Sequence, residues 1–430
     1  MTNGQTTETA KTTTLPAGVL TLALTLALTL ALALLAVERP ASASGTTFVV
    51  NSTADTDDAT PDGACTSCTL REAIREANNN NDPAQVDTIK FNIPGTGLKT
   101  ISPVTALPTI SEPVAINGYS QPGSAVNTLA RGTNAKPLVQ ISGANKSDFF
   151  TGLTVSAQNS VVKGLVINRF AEQDAISVRP QATNVRIEGN FLGTDPSGTT
   201  ARGSDVGVFI LGASDNTVGG TTLASRNLIS GNNAAGVIIT GDATLSGRAD
   251  GNEVRGNLIG TQKDGLKPLA NGQEGVFVSG GDAQGNSILS NSIFANGHIG
   301  IDLQGGIEGS AGSTANDPGD ADLGPNDLQN KPSLGSAKTV SGKTTIKGTL
   351  NSHPNQTYTL QFFSNPPGTN QGRRLIGQKT GLVVGGSGSA SFTFSPATAV
   401  PAGQTVTATA TNEFSGDTSE FSGARTVASS

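Results

Sequence analysis

The sequence predicts an all-β chain whose central part is a parallel β-solenoid, and three observations lead to this prediction. Short aliphatic blocks recur about every 30 residues, with connectors rich in Gly, Asn and Asp between them. Gly makes up 54 of the 430 residues and charged residues only 14%, which argues against a coiled coil or a long-helix protein. Trp is absent and Tyr occurs twice, so Val, Ile and Leu must supply most of the buried area.

The charge balance argues against a nucleic-acid partner. The formal net charge is −6, and residues 1–43 contain two basic and two acidic residues, so the balance is the same without them. A chain that binds phosphates through a basic face carries an excess of Lys and Arg. We therefore expect no nucleic acid among its partners.

The N-terminal segment, residues 1–43, has the pattern of a signal peptide. Leu15–Val37 is apolar and contains no charged residue. Ala41, Ser42 and Ala43 follow it as a small-residue cleavage signal. The apolar stretch is also long enough to remain as an uncleaved anchor. The small-residue signal favours cleavage over anchoring, and the rest of the chain is exported in either case. We therefore expect a secreted, extracellular or cell-surface protein with no membrane contact after cleavage.

The two cysteines, Cys65 and Cys68, form a C-x-x-C pair. A zinc site needs about four ligands, and no His or further Cys lies nearby in the sequence. A thioredoxin-like redox pair needs a βαβ context, which the surrounding sequence does not provide. In an exported protein, the pair is best interpreted as a local disulfide that staples a turn.

One helix is predicted directly after this pair. Leu70, Ala73, Ile74 and Ala77 lie on one face of a helix of about three turns. No other segment after the leader has a comparable helical periodicity. The helix is therefore an isolated element at the start of a β-rich chain.

The segment around this helix resembles the N-terminal CSLREA module. The motif residues here are Cys68, Thr69, Leu70, Arg71, Glu72, Ala73 and Ile74, with Thr69 where the namesake has Ser, and an Asp-rich stretch precedes them. In that family the module precedes a right-handed parallel β-helix in exported bacterial proteins. The resemblance implies a short N-terminal helical cap over residues 47–92.

The aliphatic blocks form two alternating series within residues 93–331. The first series is Val162–Ile167, Ile187–Leu192, Arg226–Ile229, Val254–Ile259 and Ile288–Ile293, and the second is Ala175–Val178, Gly207–Ile210, Gly236–Ile239, Gly275–Val278 and Gly300–Leu303. Alternation within a block predicts a strand with one inward face, which buries its aliphatic residues onto the next coil. The region resembles the pectate-lyase-like superfamily, and this implies a right-handed parallel β-helix.

Asparagines recur at one register position of the first series, at Asn190, Asn227, Asn257 and Asn291. Inward-turned amides at this position would hydrogen-bond to the coils above and below as a ladder. Alternatively, Asn occurs there because it tolerates the left-handed backbone of a turn. Both interpretations are structural, so neither assigns these residues to catalysis.

Residues 332–430 are predicted to form an Ig-like β-sandwich, an accessory module. Four segments alternate with period two, Thr345–Leu350, Thr357–Phe362, Ala390–Phe394 and Thr405–Ala410, and Gly, Pro and Asn turns separate them. Ser415–Ser422 resembles the closing motif of sandwiches that follow such β-helices.

The sequence offers little sign of catalysis. Glycosidases need two facing carboxylates, and no cluster of Asp or Glu is visible on one outer face of neighbouring coils. Arg186 with Glu188, and Arg255 with Glu253, are expected to be ion-paired surface residues, and His298 to be a turn histidine. We therefore expect a monomeric, non-enzymatic binding or adhesion scaffold for polysaccharide or a cell-surface glycan. The alternatives are a polysaccharide lyase or glycoside hydrolase of the superfamily, and a purely structural stalk.

One candidate ligand-binding feature is an apolar stripe. The middle, outward residues of the second series are Phe209, Ile238 and Phe277, with Asp302 at the end. Adjacent coils stack about 4.8 Å apart, so the three apolar side chains should be contiguous over about 10 Å. Either a connector or the sandwich covers them, which the sequence favours, or they form a platform for sugar rings or a partner surface.

A candidate metal site follows the last coil. Asp317, Asp320, Asp322 and Asp327 place four carboxylates in a short loop that contains Gly and Pro. Hard oxygen ligands at such spacing suit Ca²⁺. The alternative is a solvated acidic linker, because the spacing differs from the EF-hand pattern.

Overall fold

A computed structural model describes residues 1, 45–57, 65, 67–79, 84–244, 246–304 and 312–429. The predicted signal peptide, residues 1–43, lies outside the described residues apart from Met1. Gly45–Ser430 form one compact unit. The described residues of this unit include four short 3₁₀ helices, Gly118–Ser120, Gly143–Asn145, Leu223–Ser225 and Pro325–Leu328.

Three parallel sheets make up the larger part of this unit. Sheet A contains Thr47–Val50, Asp87–Phe91, Val114–Asn117, Val161–Lys163, Arg186–Glu188, Thr217–Gly219, Glu253–Arg255 and Ser287–Leu289. Sheet B contains Lys99–Ile101, Val139–Ser142, Leu165–Asn168, Phe191–Leu192, Leu228–Ile229, Leu258–Ile259 and Ser292–Ile293. Sheet C contains Leu153–Val155, Ile176–Val178, Val208–Leu211, Val237–Thr240, Val276–Ser279 and Ile301–Leu303.

From Val161 to Leu303 the chain passes through sheets A, B and C in turn, and one such passage is called a coil below. Each strand pairs in parallel with the equivalent strand of the next coil, as Val208 does with Val237 and Val237 with Val276. Inward residues such as Val208 and Ile210 are fully buried. The prediction of an all-β chain built on large parallel sheets is confirmed.

The predicted helix is present as α1 (Leu70–Asn79). Thr69 and Glu72 form a capping box, because the Thr69 N–H donates to Glu72 Oε2 at 2.8 Å and the Glu72 N–H donates to Thr69 Oγ1 at 3.2 Å. The four apolar residues of the predicted face are all buried, and they share a core with Phe48 and Phe91 of sheet A. The helix therefore packs on the first strands of that sheet.

Arg71 of the CSLREA-like motif fastens the preceding segment to this helix. Its Nε and Nη2 each donate to the Asp55 carboxylate at 3.0 Å, and its Nη1 donates to the Ala106 carbonyl at 2.6 Å. A fork-like pair of this kind is strong because both groups are charged and planar. Just before the helix, a disulfide joins Cys65 and Cys68.

The asparagines of the first series form a ladder at the turn between sheets A and B. The side-chain amide of Asn227 donates to Asn257 Oδ1 at 2.9 Å, and that of Asn257 donates to Asn291 Oδ1 at 3.0 Å. The left-handed backbone lies one residue earlier, as at Gly189 and Gly256. The ladder interpretation is therefore correct for these residues, and the turn interpretation is wrong.

The other two turns of the coil carry their own ladders, which the sequence analysis missed. One runs through Asn216, Asn252, Asn286 and Asn326 at the turn from sheet C to sheet A. The other runs through Asn232, Asn271, Asn296 and Gln371 at the turn from sheet B to sheet C. The last member of each comes from the chain that follows the coils, so the ladders have defined ends.

The C-terminal region forms two four-stranded sheets. Sheet D contains Ser333–Val340, Lys343–Asn351, Ser389–Phe394 and Ala428–Ser429, and sheet E contains Thr357–Asn365, Arg374–Val383, Thr405–Asn412 and Arg425–Thr426. The two sheets share one apolar core, in which the Phe362 ring of sheet E stacks on Phe394 of sheet D at 4.2 Å between centroids. We call these two sheets the sandwich.

The segment Ser415–Ser422 closes the last coil. Asp417 accepts a hydrogen bond from the Gly285 N–H at 2.6 Å, and Thr418 Oγ1 accepts one from the Ile288 N–H at 3.0 Å. Phe421 packs so closely on Gly300 that a Cβ there would lie 2.7 Å from its ring. The exposed edge that a stack of strands would otherwise present is thus covered.

The ladder through Asn232 and Asn271 offers a matched test of how much the ladders stabilise the fold. Asn232 is buried and bonded to Asn271, whereas its neighbour Asn233 is exposed. We expect Asn232→Ala to lower the free energy of unfolding by about 2 kcal/mol or more, because it leaves buried partners unsatisfied. Asn233→Ala should change it by less than about 0.5 kcal/mol. Denaturant titration of both variants measures the difference, and equal losses would contradict a role for the ladder.

Candidate functional site

The apolar stripe lies on the outer face of sheet C in the register that the sequence predicts. Phe209 pairs with Ile238, Ile238 with Phe277, and Phe277 with Asp302. All three apolar side chains are partly exposed, and Asp302 is buried. Neither a connector nor the sandwich therefore encloses the stripe completely.

The environment of Asp302 favours the protonated form of its carboxyl group. Burial, and then the charges of Glu420 and Glu274, raise its pKa to about 7, against the opposing effect of His298. The carboxyl group is therefore partly protonated at neutral pH. A carboxylic acid with such a pKa is able to donate a proton as well as to accept one.

The two carboxylates whose charges act on Asp302 come from different parts of the fold. Glu274 lies in the turn before sheet C, and its Oε1 is 2.7 Å from His298 Nδ1 on the next coil. Glu420 comes from the closing segment, where it accepts hydrogen bonds from the Leu303 N–H at 3.3 Å and the Ser313 hydroxyl at 2.6 Å. We call Glu274, His298, Asp302 and Glu420 the acid cluster.

A second carboxyl group with a raised pKa lies at the other end of the stripe. Burial is the main cause that raises the pKa of Asp174 to about 6, while Arg179 lowers it and Asp205 raises it. Asp174 precedes the sheet C strand whose Ser177 pairs with Phe209. The stripe thus has a buried, protonatable carboxyl group near each end.

The expectation of no acidic cluster at the outward strand positions of neighbouring coils stays a prediction, but the acid cluster draws on residues outside those positions. Glu274 and His298 belong to turns and Glu420 to the closing segment Ser415–Ser422, so none of them occupies an outward position on a strand. One signal was available, because Glu274 and His298 each precede a strand of the second series by two or three residues. The distant origin of Glu420 could not be read from the repeats. The two Arg–Glu pairs of sheet A are ion pairs as expected, at 3.5 Å for Arg186 with Glu188 and 2.6 Å for Arg255 with Glu253.

The acidic loop brings three of its four predicted ligands together. One carboxylate oxygen from each of Asp317, Asp320 and Asp322 lies within 4.8 Å of the others, an arrangement that could hold a metal ion. Asp327 lies outside this group, with its Oδ2 3.7 Å from His353 Nε2. The loop therefore offers three carboxylates to one ion.

Asp320 and Asp322 differ in the hydrogen bonds that their carboxylate oxygens accept. Asp320 accepts hydrogen bonds from the Gln329 side chain at 2.8 Å and the Asn330 N–H at 2.7 Å, and burial is the main cause that raises its pKa to about 6. Asp322 Oδ1 is buried and accepts no hydrogen bond from the described residues. Burial, followed by the charge of Asp317, raises the pKa of Asp322. Asp322 is thus the member that most needs a cation or a proton.

Among the described residues, no helix is long and apolar enough to cross a membrane. Comparison of the chain with models of known protein families finds no match. Comparison with curated proteins finds none either.

The raised pKa of Asp302 predicts a pH dependence of stability. The folded chain binds this proton up to about pH 7, whereas an unfolded Asp releases it near pH 3.9. Between these values the folded state holds the extra proton, so stability must fall as the pH rises. We expect Asp302→Asn to remove this contribution, so that the variant gains stability over the wild type by up to about 1.4 kcal/mol per pH unit in this window.

Asp195 supplies a control of opposite sign. Its partial burial acts to raise its pKa, but hydrogen bonds from Ser197 and from the N–H groups of Thr200 and Thr199 outweigh this and lower it. Asp195→Asn should therefore lose stability relative to the wild type as the pH rises toward about 3.9, the ordinary pKa of Asp, and the difference should be constant above it. Thermal unfolding from about pH 2 to about pH 8 covers the windows of both residues and measures the Asp302 effect. A constant difference between Asp302→Asn and the wild type over that range would contradict it.

Proposed function

We propose that this chain is an exported right-handed parallel β-helix protein that binds polysaccharide along the outer face of sheet C. In this proposal residues 47–92 are a CSLREA-type cap, residues 93–331 the β-helix and residues 332–430 an Ig-like sandwich. The three sheets visited in turn, the ladders at all three turns and the closing segment support the architecture. Export follows from the predicted signal peptide, and the protein acts as a monomer at the cell surface or outside the cell.

The observation that carries the binding function is the partly exposed stripe. Phe209, Ile238 and Phe277 stack in register on adjacent strands and retain accessible surface. Sugar rings have an apolar face that packs well on aromatic side chains, whereas their edges need hydrogen-bond partners. A flat run of about 10 Å of apolar surface suits two or more rings in a row.

The flanking groups supply the polar part of such a site. Asp302 lies beside Phe277 in the sheet, and Thr240 and Ser279 lie on the same outer face with their hydroxyl oxygens 2.8 Å apart. Carboxyl and hydroxyl groups both accept and donate hydrogen bonds to sugar hydroxyls. An apolar floor with a few polar groups at its edges is the usual composition of a small-molecule site.

The experiment removes the two rings and leaves the backbone intact. We expect Phe209→Ala with Phe277→Ala to weaken binding to a responsive member of a polysaccharide panel by about tenfold or more, because the stacking surface is lost. Phe414→Ala is the matched control, since Phe414 is 91% exposed on a loop of the sandwich. Affinity electrophoresis or calorimetry provides the affinities, and circular dichroism checks that the double variant is folded.

Two outcomes would contradict this function. One is a folded double variant that binds as tightly as the wild type. The other is a wild-type protein that binds no member of a panel of neutral and acidic polysaccharides. A large loss of thermal stability in the double variant would assign the two rings to packing.

The acid cluster favours a second candidate, hydrolysis of a glycosidic bond. Such a reaction needs a protonated acid to donate to the leaving oxygen and a second carboxylate to attack or to activate water. Asp302 is suited to the first role through its raised pKa, and Glu274, held by His298, to the second. The release of new reducing ends by the wild type but not by Asp302→Asn would favour hydrolysis over binding alone.

The acidic loop is proposed to bind Ca²⁺. Three carboxylates at close range and a buried, unpartnered Asp322 oxygen fit a hard cation. The ion would add no chemistry to sheet C; it would neutralise the loop that joins the last coil to the sandwich. Backbone carbonyls and water would have to complete the six to eight oxygens that Ca²⁺ prefers.

The calcium proposal predicts a metal-dependent melting temperature. We expect millimolar Ca²⁺ to raise the melting temperature above its value in excess EDTA, because a ligand that binds only the folded state stabilises it. Asp322→Asn should reduce this difference and should itself stabilise the EDTA-treated protein by relieving repulsion. Asp264→Asn, at an exposed connector, is the control. Identical melting curves in Ca²⁺ and EDTA would refute the site.

A further inference from the structure

A cleft of about 570 Å³ lies where the turns between sheets A and B meet the sandwich. It belongs to a different side of the coils from the stripe, which lies on the outer face of sheet C. Five arginines line the cleft: Arg131, Arg226, Arg255, Arg373 and Arg374. Asp264 is the one carboxylate among its described lining residues, and its Oδ1 already accepts the N–H groups of Leu266 and Lys267.

Two of the five arginines have structural partners. Arg226 donates to backbone carbonyls, including those of Gly132 at 2.6 Å and Gly256 at 3.1 Å. It thereby ties the 129–132 loop to the turns but brings an uncompensated charge to the cleft. Arg255 forms its ion pair with Glu253 at 2.6 Å. These two residues shape the cleft more than they offer free donors.

The other three arginines have no carboxylate within 4 Å among the described residues. Arg131 lies on the 129–132 loop, and Arg373 and Arg374 lie at the start of a sheet E strand. The Arg373 guanidinium is 5.4 Å from the centroid of the Phe294 ring, which orients it without neutralising it. Burial, and then the charges of Arg131 and Arg373, lower the pKa of Arg374. The charges of Arg131 and Arg373 therefore act unfavourably on Arg374, and all three side chains line the same cleft.

The net charge of the chain is −6, yet three arginines without a described carboxylate partner line one cleft. Such an arrangement destabilises the empty protein, and an anion would relieve the repulsion. Guanidinium forks match the geometry of sulfate, phosphate and carboxylate groups and bind them with two parallel hydrogen bonds. The volume lies within the range of small-molecule sites.

We propose that this cleft binds a compact ligand that carries at least two oxyanion charges, such as a sulfated, phosphorylated or carboxylated sugar, through Arg131, Arg373 and Arg374. Two charges are needed because three unpaired guanidinium groups face one small volume. The site is independent of the stripe, so it stands whether or not sheet C binds polysaccharide. A long nucleic acid is not favoured, since the described residues that line the cleft include no aromatic side chain on which bases would stack.

The test measures binding of three probes to the full chain by calorimetry: inorganic pyrophosphate, glucosamine N,6-disulfate and digalacturonate. They separate phosphate, sulfate and carboxylate as the source of the charge. We expect at least one probe to bind, and Arg131→Ala with Arg374→Ala to weaken that probe by about tenfold or more. Arg425→Ala, an exposed arginine outside the cleft, should leave the affinity within about twofold.

Further variants separate this site from the stripe. Phe209→Ala with Phe277→Ala should leave the probe affinity unchanged, and Arg374→Lys should restore only part of it because the fork is lost. The proposal is overturned if no probe binds the folded wild type at millimolar concentration. It is also overturned if Arg425→Ala weakens binding as much as the cleft variant, since the attraction would then be general to the surface charge.

Discussion

The hydrogen bond between two asparagine side chains on successive coils is the interaction on which the rest of this structure depends. A carboxamide donates on one side and accepts on the other, so the same residue type at the same turn extends the contact from coil to coil. Three such ladders, through Asn257, Asn252 and Asn271, hold the three turns of the later coils in register. With the turns fixed, the short strands between them align, and their aliphatic side chains stack into one core.

A ladder must end, and here the chain that follows the coils supplies the ends. Asn326 and Gln371 terminate two ladders, and the segment Ser415–Ser422 covers the edges of the last strands. The same segment contributes Glu420, whose charge acts on Asp302. The sandwich is therefore part of the acid cluster and of the arginine cleft as well as a cap. The acid cluster and the cleft both lie where the sandwich and the closing segment meet the coils.

Structural features that recur along the chain could be predicted from the sequence, whereas contacts between distant, non-repeating segments could not. The strand blocks, the stripe on Phe209 and Phe277, the helix face and one ladder were visible because each recurs at one register position or one helical period. One repeating feature was nevertheless missed: an Asn recurs two residues before Val218, Val254 and Ile288, and four residues before Gly236, Gly275 and Gly300, which is the signal of the ladders through Asn252 and Asn271. Glu420 and Arg374 were beyond reach, since a sandwich that folds back on the coils brings distant residues to a site that no local pattern encodes.

Native-state hydrogen exchange tests most directly whether the ladders stabilise the coils. It compares the full chain with and without the Gln371 carboxamide. Gln371 Oε1 accepts from the Asn296 N–H at 3.2 Å, and Asn296 Oδ1 accepts from the Asn271 side chain at 2.9 Å. If the ladder transmits stability from the sandwich into the coils, Gln371→Ala should speed exchange of the Asn296 backbone N–H by about tenfold or more. The effect on the backbone N–H should be smaller at Asn271 and smallest at Asn232. Unchanged exchange at Asn296 in the folded variant would contradict the account.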